Sequence, residues 1–147
     1  MRFGQLSKRS TYNENLSLSY IFEDFSSSMY HLNEAKVIAE KLDDKQLLAD
    51  IEWRNYPFIC AVFGHVNGIS TEDPAEQAHI EIVKGNDHLA RAILNEMTIN
   101  TPLLKYYYGL ATRDKDLLME SCQDFIGKRS DHFFARLPLR AAQGSFC

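Results

Sequence analysis

The sequence predicts an all-α protein of about six to seven helices, paired as antiparallel helical hairpins in a bundle or a short repeat-like array. Apolar residues recur at three- and four-residue steps through most of the 147 residues, which is the period of an amphipathic helix. Residues that start and stop helices stand at the ends of those stretches. A β-hairpin is not expected, because no tight-turn pair lies between two alternating segments.

The first helical element spans residues 16–42. Three consecutive serines at 26–28 lower its helix propensity, so the sequence allows a break or a kink there. Asp43 and Asp44 follow, and they either end this element or cap the next one. The apolar positions that carry the helical period are Leu18, Phe22, Phe25, Met29, Leu32, Ala35, Ala39 and Leu42.

The second element covers residues 45–66 and contains Pro57, which lacks a backbone N–H and predicts a kink or two shorter helices. An Asn-Gly pair at 67–68 is a typical helix stop. An Asp-Pro pair at 73–74 opens the next helix with proline at its first position. The stretch Ile80-Glu-Ile-Val83 is compatible with a helix or with one short strand, and the sequence leaves both open.

The clearest hairpin lies at residues 101–127, which begin with a Thr-Pro pair and stop at a glycine. Its two helices are joined by a turn of a few residues around 112–114. We expect a single domain over residues 1–147, with 1–13 and 143–147 able to fray. The other helices in the C-terminal half of the chain are predicted at 75–84, 87–100 and 130–137.

Composition excludes several classes of protein. Hydrophobic residues make up 45% of the chain and charged residues 24%, which is typical of a globular protein. The longest apolar run, residues 56–63, is too short to cross a bilayer, and the first residues lack the apolar stretch of a secretory signal. We therefore expect a cytoplasmic protein without a membrane partner. The net charge of −4 argues against nucleic acid as a partner.

No pattern in the sequence indicates catalysis or a cofactor. The five histidines include no pair four residues apart and no HExxH motif, and the three cysteines form no CxxC. The two glycines at 64 and 68 lack the Lys-Ser/Thr that completes a phosphate loop, and no Gly-x-Ser-x-Gly segment exists. The sequence predicts a protein that is not an enzyme, with no catalytic residues, no metal site and no cofactor.

Aromatic residues offer two candidate partner contacts. Tyr106 stands in a run of three tyrosines that covers about 200° of a helix, so this helix is apolar nearly all round. It is either packed between neighbouring helices or presents a tyrosine to a partner, a residue enriched in binding hot spots. The same two interpretations apply to Trp53.

The charge is unevenly distributed along the chain. Between Glu14 and Glu52 nine acidic residues stand against three lysines, and the balance reverses after Gly127. An acidic surface can steer a basic partner by its long-range field, although a solvated helix face is the simpler interpretation of each single charge. The acidic candidates for partner binding are Glu23, Asp24, Asp43, Asp44, Asp50 and Glu52.

Residues 101–118 resemble a recurring segment of all-helical immunity proteins from bacterial polymorphic toxin systems. In that segment an apolar helix ends at an alanine followed closely by Arg-Asp, and a helix with a Leu-Leu pair comes next. The matching positions here are Ala111, Arg113, Asp114, Leu117 and Leu118.

The resemblance implies a small cytoplasmic antidote that binds a cognate toxin domain and occludes its active site. Where that toxin is a nuclease with a basic cleft, the acidic residues would fill the cleft as a mimic of phosphate. The alternative function is a helical adaptor or regulatory module that binds a peptide or another protein in a groove between hairpins. The sequence names neither the toxin nor the oligomeric state.

Overall fold

The structure is a computed structural model that describes residues 3–144 and, within them, the side chains at all positions except 3, 4 and 7. All regular secondary structure in this range is helical, so the all-α prediction is confirmed. The helices are α1 Phe3–Ser19, α2 Phe25–Lys41, α3 Lys45–Asp50, a π-helical segment Ile51–Asn55, α4 Tyr56–Val62, α5 Pro74–Val83, α6 Asp87–Asn95, α7 Pro102–Thr112, α8 Lys115–Arg129 and α9 Arg136–Gln143.

The chain divides into two compact units, Met1–Glu76 and Gln77–Cys147. In the first unit α1 and α2 pack against each other as an antiparallel hairpin joined by residues 20–24, and the Ser10 hydroxyl donates to the Ala35 carbonyl at 3.0 Å near the middle of both helices. The α2 face that packs inward carries small and branched residues, which let the helices approach closely. The buried apolar residues of this unit include Ile21, Leu32, Ala35, Ile38, Ala39, Ile51, Phe58 and Ile59.

The break between the first two helices lies at residues 20–24. It therefore comes before the serines at 26–28, where the sequence allowed a break or a kink. Asp24 decides the position, because its carboxylate accepts hydrogen bonds from the backbone N–H groups of Ser26 and Ser27. A serine run directly after an N-cap therefore begins a helix. Eight continuous helical segments result in the described range, against the six to seven expected from the sequence.

Pro57 does not split the second element. The residues from α3 through the π-helical segment to α4 are helical without interruption, and Pro57 is buried as the second residue of α4. Proline removes the hydrogen bond to the carbonyl four residues earlier, which here belongs to Trp53. The Thr71 hydroxyl donates to that Trp53 carbonyl instead. The wider π turn and the threonine together let the helix continue past a proline.

The second unit is a series of antiparallel pairs, α6 with α7, α7 with α8, and α8 with α9. The predicted hairpin at 101–127 is confirmed, with Thr101 capping α7 and Asp114 capping α8 through backbone N–H groups. Arg113 makes the turn between them in the left-handed conformation, at φ 55°. Residues 80–83 belong to α5, so the strand alternative for this stretch is wrong.

The prediction of a single domain over 1–147 stays a prediction, as does fraying at 1–13 and at 143–147, of which 1–2 and 145–147 lie outside the described residues. No helix in the described range is both long enough and apolar enough to span a bilayer.

Candidate functional site

The candidate site is a cleft of about 460 Å³ at the carboxyl end of α4, in the first unit. Its volume lies within the range of small-molecule and side-chain binding sites. Two helices and one loop supply its wall, so three separate parts of the sequence meet there. The lining residues are Phe25, Tyr56, Cys60, Gly64, His65, Asn67 and Ile69.

The loop side of the cleft is fixed by two tight turns after α4. Gly64 has φ +77° and the His65 N–H donates to the Cys60 carbonyl at 2.8 Å, which closes the helix end in a Schellman-type turn. Gly68 has φ +74°, and the Ile69 N–H donates to the Val66 carbonyl at 3.2 Å. Both glycines occupy the left-handed region that residues with a Cβ rarely adopt. The backbone between them therefore holds its side chains at the cleft.

An aromatic group forms one wall. Phe25, the first residue of α2, lies with its ring centroid 4.3 Å from that of the His65 imidazole and 5.4 Å from that of the Phe63 ring. Rings at these separations attract one another beyond the burial of their area. Phe25 is half-buried and His65 is exposed, so each presents part of its ring to the cleft.

Tyr56 and Cys60 stand one helical turn apart on α4 and interact through their side chains. Burial raises the pKa of the Cys60 thiol, and the hydrogen bond from the Tyr56 phenol offsets this only in part. The negative charge that Cys60 carries once it is ionised, followed by burial, raises the pKa of Tyr56 in turn. Both groups are therefore protonated at neutral pH, and Cys60 lacks the thiolate that a nucleophilic cysteine needs.

The cleft has polar groups but no fixed charge. Among the described residues that line it there is no Asp, Glu, Lys or Arg. Its polar atoms are the Tyr56 phenol, the His65 imidazole and the Asn67 side-chain amide, all set against apolar surface. Such a lining favours recognition of a neutral group through shape and hydrogen bonds.

Comparison with known proteins identifies the family. The model of AimR transcriptional regulator-like proteins matches residues 5–143, nearly the whole chain. The chain belongs to this AimR-like family. An uncharacterized Bacillus anthracis protein, pXO2-35, is 32% identical over 130 residues, which is 84% of this chain and 48% of that protein. The chain therefore spans about half the length of this relative. No solved structure matches the present chain.

Membership in the AimR-like family bears on the two functions that the sequence left open. A match to transcriptional regulators favours the regulatory module over the antidote. The toxin partner predicted from the resemblance at 101–118 gains no support from this match. The predictions that the chain is not an enzyme and has no nucleic-acid partner remain untested.

The structure separates the acidic residues that the sequence grouped as a partner surface. Glu23 and Asp24 lie before α2, and Asp43 and Asp44 lie after it. A helix of 17 residues is about 25 Å long at 1.5 Å per residue, so the two pairs are far apart. Asp24 and Asp44 are also N-caps, of α2 and α3 respectively. The carboxylates of Asp24 and Asp44 accept hydrogen bonds at the helix ends, and Glu23, Asp24 and Asp43 are exposed.

The remaining predicted partner residues have varied surroundings. Asp50 accepts a hydrogen bond from Gln46 at 3.1 Å and lies 4.0 Å from Arg54, while Glu52 is exposed on the π-helical segment. The half-buried Trp53 is the residue whose carbonyl binds Thr71. Their assignment to partner binding stays a prediction.

Tyr106 is buried in the second unit, with 8% of its surface exposed. Its ring lies 5.6 Å from that of Tyr107, which is fully buried and stacks on His79 at 4.5 Å. The packed interpretation of this tyrosine run is therefore the better one. Its burial argues against Tyr106 as a contact for a partner.

Sequence reasoning missed the cleft residues as a group. Phe25 entered only as a member of a helical period, Tyr56 only within the apolar run at 56–63, and the glycines at 64 and 68 only as an incomplete phosphate loop and, for Gly68, as a helix stop. Two glycines bracketing His-Val-Asn after a helix were the signal available, because they indicate consecutive turns that present polar side chains. In the described part of the chain, no three residues of His, Cys, Asp or Glu come together as a metal site.

Proposed function

We propose that this chain is a helical regulatory module that controls transcription by binding a peptide or a protein partner. The observation that carries the proposal is the AimR transcriptional regulator-like match over residues 5–143. Helical hairpins offer grooves and exposed helix faces to such partners. Because the chain spans about half of its Bacillus anthracis relative, we propose the activity for this portion of such a protein.

The cleft in the first unit supports this function. It combines aromatic surface from Phe25 with the exposed polar side chains His65 and Asn67. Its neutral lining suits the side chain of a partner segment better than a charged metabolite, since an ion would lose hydration there without gaining a counter-charge. Protonated Cys60 and Tyr56 offer hydrogen bonds and no nucleophile.

The antidote hypothesis can be tested separately from the regulatory function. Its acidic residues lie at both ends of α2, and two of them cap helices, which weakens the case for one continuous surface that mimics phosphate. Co-expression with the product of a neighbouring toxin gene would support an antidote if growth were rescued. Without rescue and without binding, the antidote hypothesis fails.

The regulatory function is tested by measuring transcripts in the host cell with the gene deleted, restored, or restored with a double substitution in the cleft. We expect deletion to change a defined set of transcripts, and His65→Ala with Asn67→Ala to leave that change uncorrected. Both side chains are exposed, so the fold should tolerate their loss.

The matched control for this experiment is His88→Ala with Asn100→Ala, which removes one exposed imidazole and one exposed amide from the second unit. We expect the control to restore the transcripts as the natural gene does. A transcript profile that deletion leaves unchanged would rule out the regulatory function.

A further inference from the structure

Helix α2 leaves large apolar side chains uncovered on its outer side. Tyr30 is 61% exposed and Val37 is 45% exposed, although both are large hydrophobic residues. Leu32, Ala35 and Ala39 lie on the opposite side of the same helix and are buried. Two exposed apolar residues seven positions apart on one helix indicate a surface against which another helix can pack.

Two charged residues lie on the same side of the helix. We call the four residues Tyr30, Glu34, Val37 and Lys41 the α2 seam. Their spacing of four, three and four residues sets them along one line, as in the contact line of a coiled coil. Glu34 and Lys41 are exposed, and neither forms an ion pair with another described residue. Both charges are therefore available to a partner.

The α2 seam is complementary to itself. When two such helices pack antiparallel about a two-fold axis between residues 35 and 36, Tyr30 lies level with Lys41 of the second copy, and Glu34 lies level with Val37. Each Lys41 ammonium then reaches a tyrosine ring and, one helical turn away, the opposing Glu34. Parallel packing would instead set Glu34 against Glu34 and Lys41 against Lys41, which like-charge repulsion disfavours.

We propose that the α2 seam is a homodimer interface, at which α2 of a second copy packs antiparallel. The charge pattern favours this occupant, because a second copy carries the acid, the base and the apolar residues in the complementary order. Four seam residues per copy form a contact smaller than the roughly 1,200–2,000 Å² of a standard interface, so the dimer is weak. The α2 seam does not line the cleft, and the inference does not rest on the proposed function.

The test is sedimentation equilibrium of the full chain from about 5 µM to 0.5 mM, over which we expect monomer to give way to dimer with a Kd on the order of 0.1 mM. Val37→Glu removes an apolar contact and places a second acid beside Glu34, so it should raise the Kd about tenfold or more. The matched control is Ile126→Glu, which makes the same change at a 39% exposed residue of α8 in the second unit and should leave the Kd unchanged.

Charge reversal tests the antiparallel arrangement. Glu34→Lys should raise the Kd about threefold to tenfold, because the new lysine lies one turn from Lys41 of the second copy, and Lys41→Glu should do the same by setting two acids together. An equimolar mixture of the two variants should associate at least about threefold more tightly than either variant alone, because every opposing pair then joins a lysine to a glutamate. These positions are exposed, so the fold should tolerate the changes, which circular dichroism checks.

A chain that stays monomeric at about 0.5 mM would overturn the inference. So would a Kd that Val37→Glu leaves unchanged, a Kd that Ile126→Glu raises as much, or a mixture of charge variants that associates no better than its components. A monomer that binds a different protein through Val37 would likewise reject the second copy as the occupant. The transcript experiment is independent of all these outcomes, so the proposed function can fail while the dimer stands, and the reverse.

Discussion

Glu14 of α1 has one carboxylate oxygen, Oε2, that is buried without a hydrogen bond to any described residue. Burial raises the pKa of this carboxyl, the hydrogen bond from Asn55 opposes that, and the negative charge of Asp50 raises it further. The folded protein therefore holds this proton to higher pH than the unfolded chain, whose value is about 4.5. The free energy of unfolding consequently falls as pH rises from about 4.5 through the raised pKa.

Replacing this carboxylate with an amide should stabilise the fold at neutral pH. Glu14→Gln keeps an oxygen to accept from Asn55 and removes the cost of the buried charge. Because Glu14 is only half-buried and water screens part of that cost, we expect a gain of about 0.5 kcal/mol at pH 7 and none at pH 4. Urea unfolding at the two pH values measures it, with the exposed Glu34→Gln as the control that should change neither. A Glu14→Gln protein less stable than the natural one at pH 7 would contradict this account.

The close approach of α7 and α8 depends on Gly109. A Cβ at this position would lie 2.8 Å from Leu118 Cδ2, 2.9 Å from its Cγ and 3.3 Å from its backbone nitrogen. Leu118 is fully buried and cannot move aside without disturbing its neighbours. Gly109→Ala should therefore lower the free energy of unfolding by about 1–3 kcal/mol, even though alanine is the better helix former.

A glycine in α8 provides the control for this prediction. Gly127 is exposed, and a Cβ there would meet nothing within 4 Å, so Gly127→Ala should stabilise by about 0.5–1 kcal/mol. Thermal or urea unfolding compares the two variants. If both substitutions stabilised the protein equally, the packing of Gly109 against Leu118 would not limit the distance between the helices.

The sequence predicts a helix where the residues that cap it are close to it in sequence. It does not predict the uninterrupted helix at Pro57 or the cleft, because both depend on residues far apart in the chain. Thr101 before a proline and Asp114 after the turn cap helices through side chains within three residues, so sequence punctuation locates α7 and α8. The uninterrupted helix at Pro57 depends on the Thr71 hydroxyl, 18 residues from the Trp53 carbonyl that it binds. The cleft likewise joins Phe25 to the turns after α4, a pairing that only tertiary packing decides.

Trp53 is the single tryptophan of the chain and lies in the first unit, so its fluorescence reports on that unit alone. Far-UV circular dichroism reports on helices of both units. Helix α5 begins at Pro74 in the first unit and ends at Val83 in the second, so the boundary between the units lies within one helix. The prediction of a single domain over 1–147 therefore requires that both signals change together.

In urea we expect the fluorescence and dichroism curves to share one midpoint and one slope, as a two-state transition demands. The slope should be about 1–3 kcal/mol per molar urea, the range for small proteins that unfold as a whole. Tyr56→Phe, which removes only a hydroxyl of the first unit, should shift both midpoints by the same amount if the units are coupled. Two separate midpoints, with dichroism changing in two steps and Tyr56→Phe moving only the step seen by Trp53, would instead establish two independently folding domains.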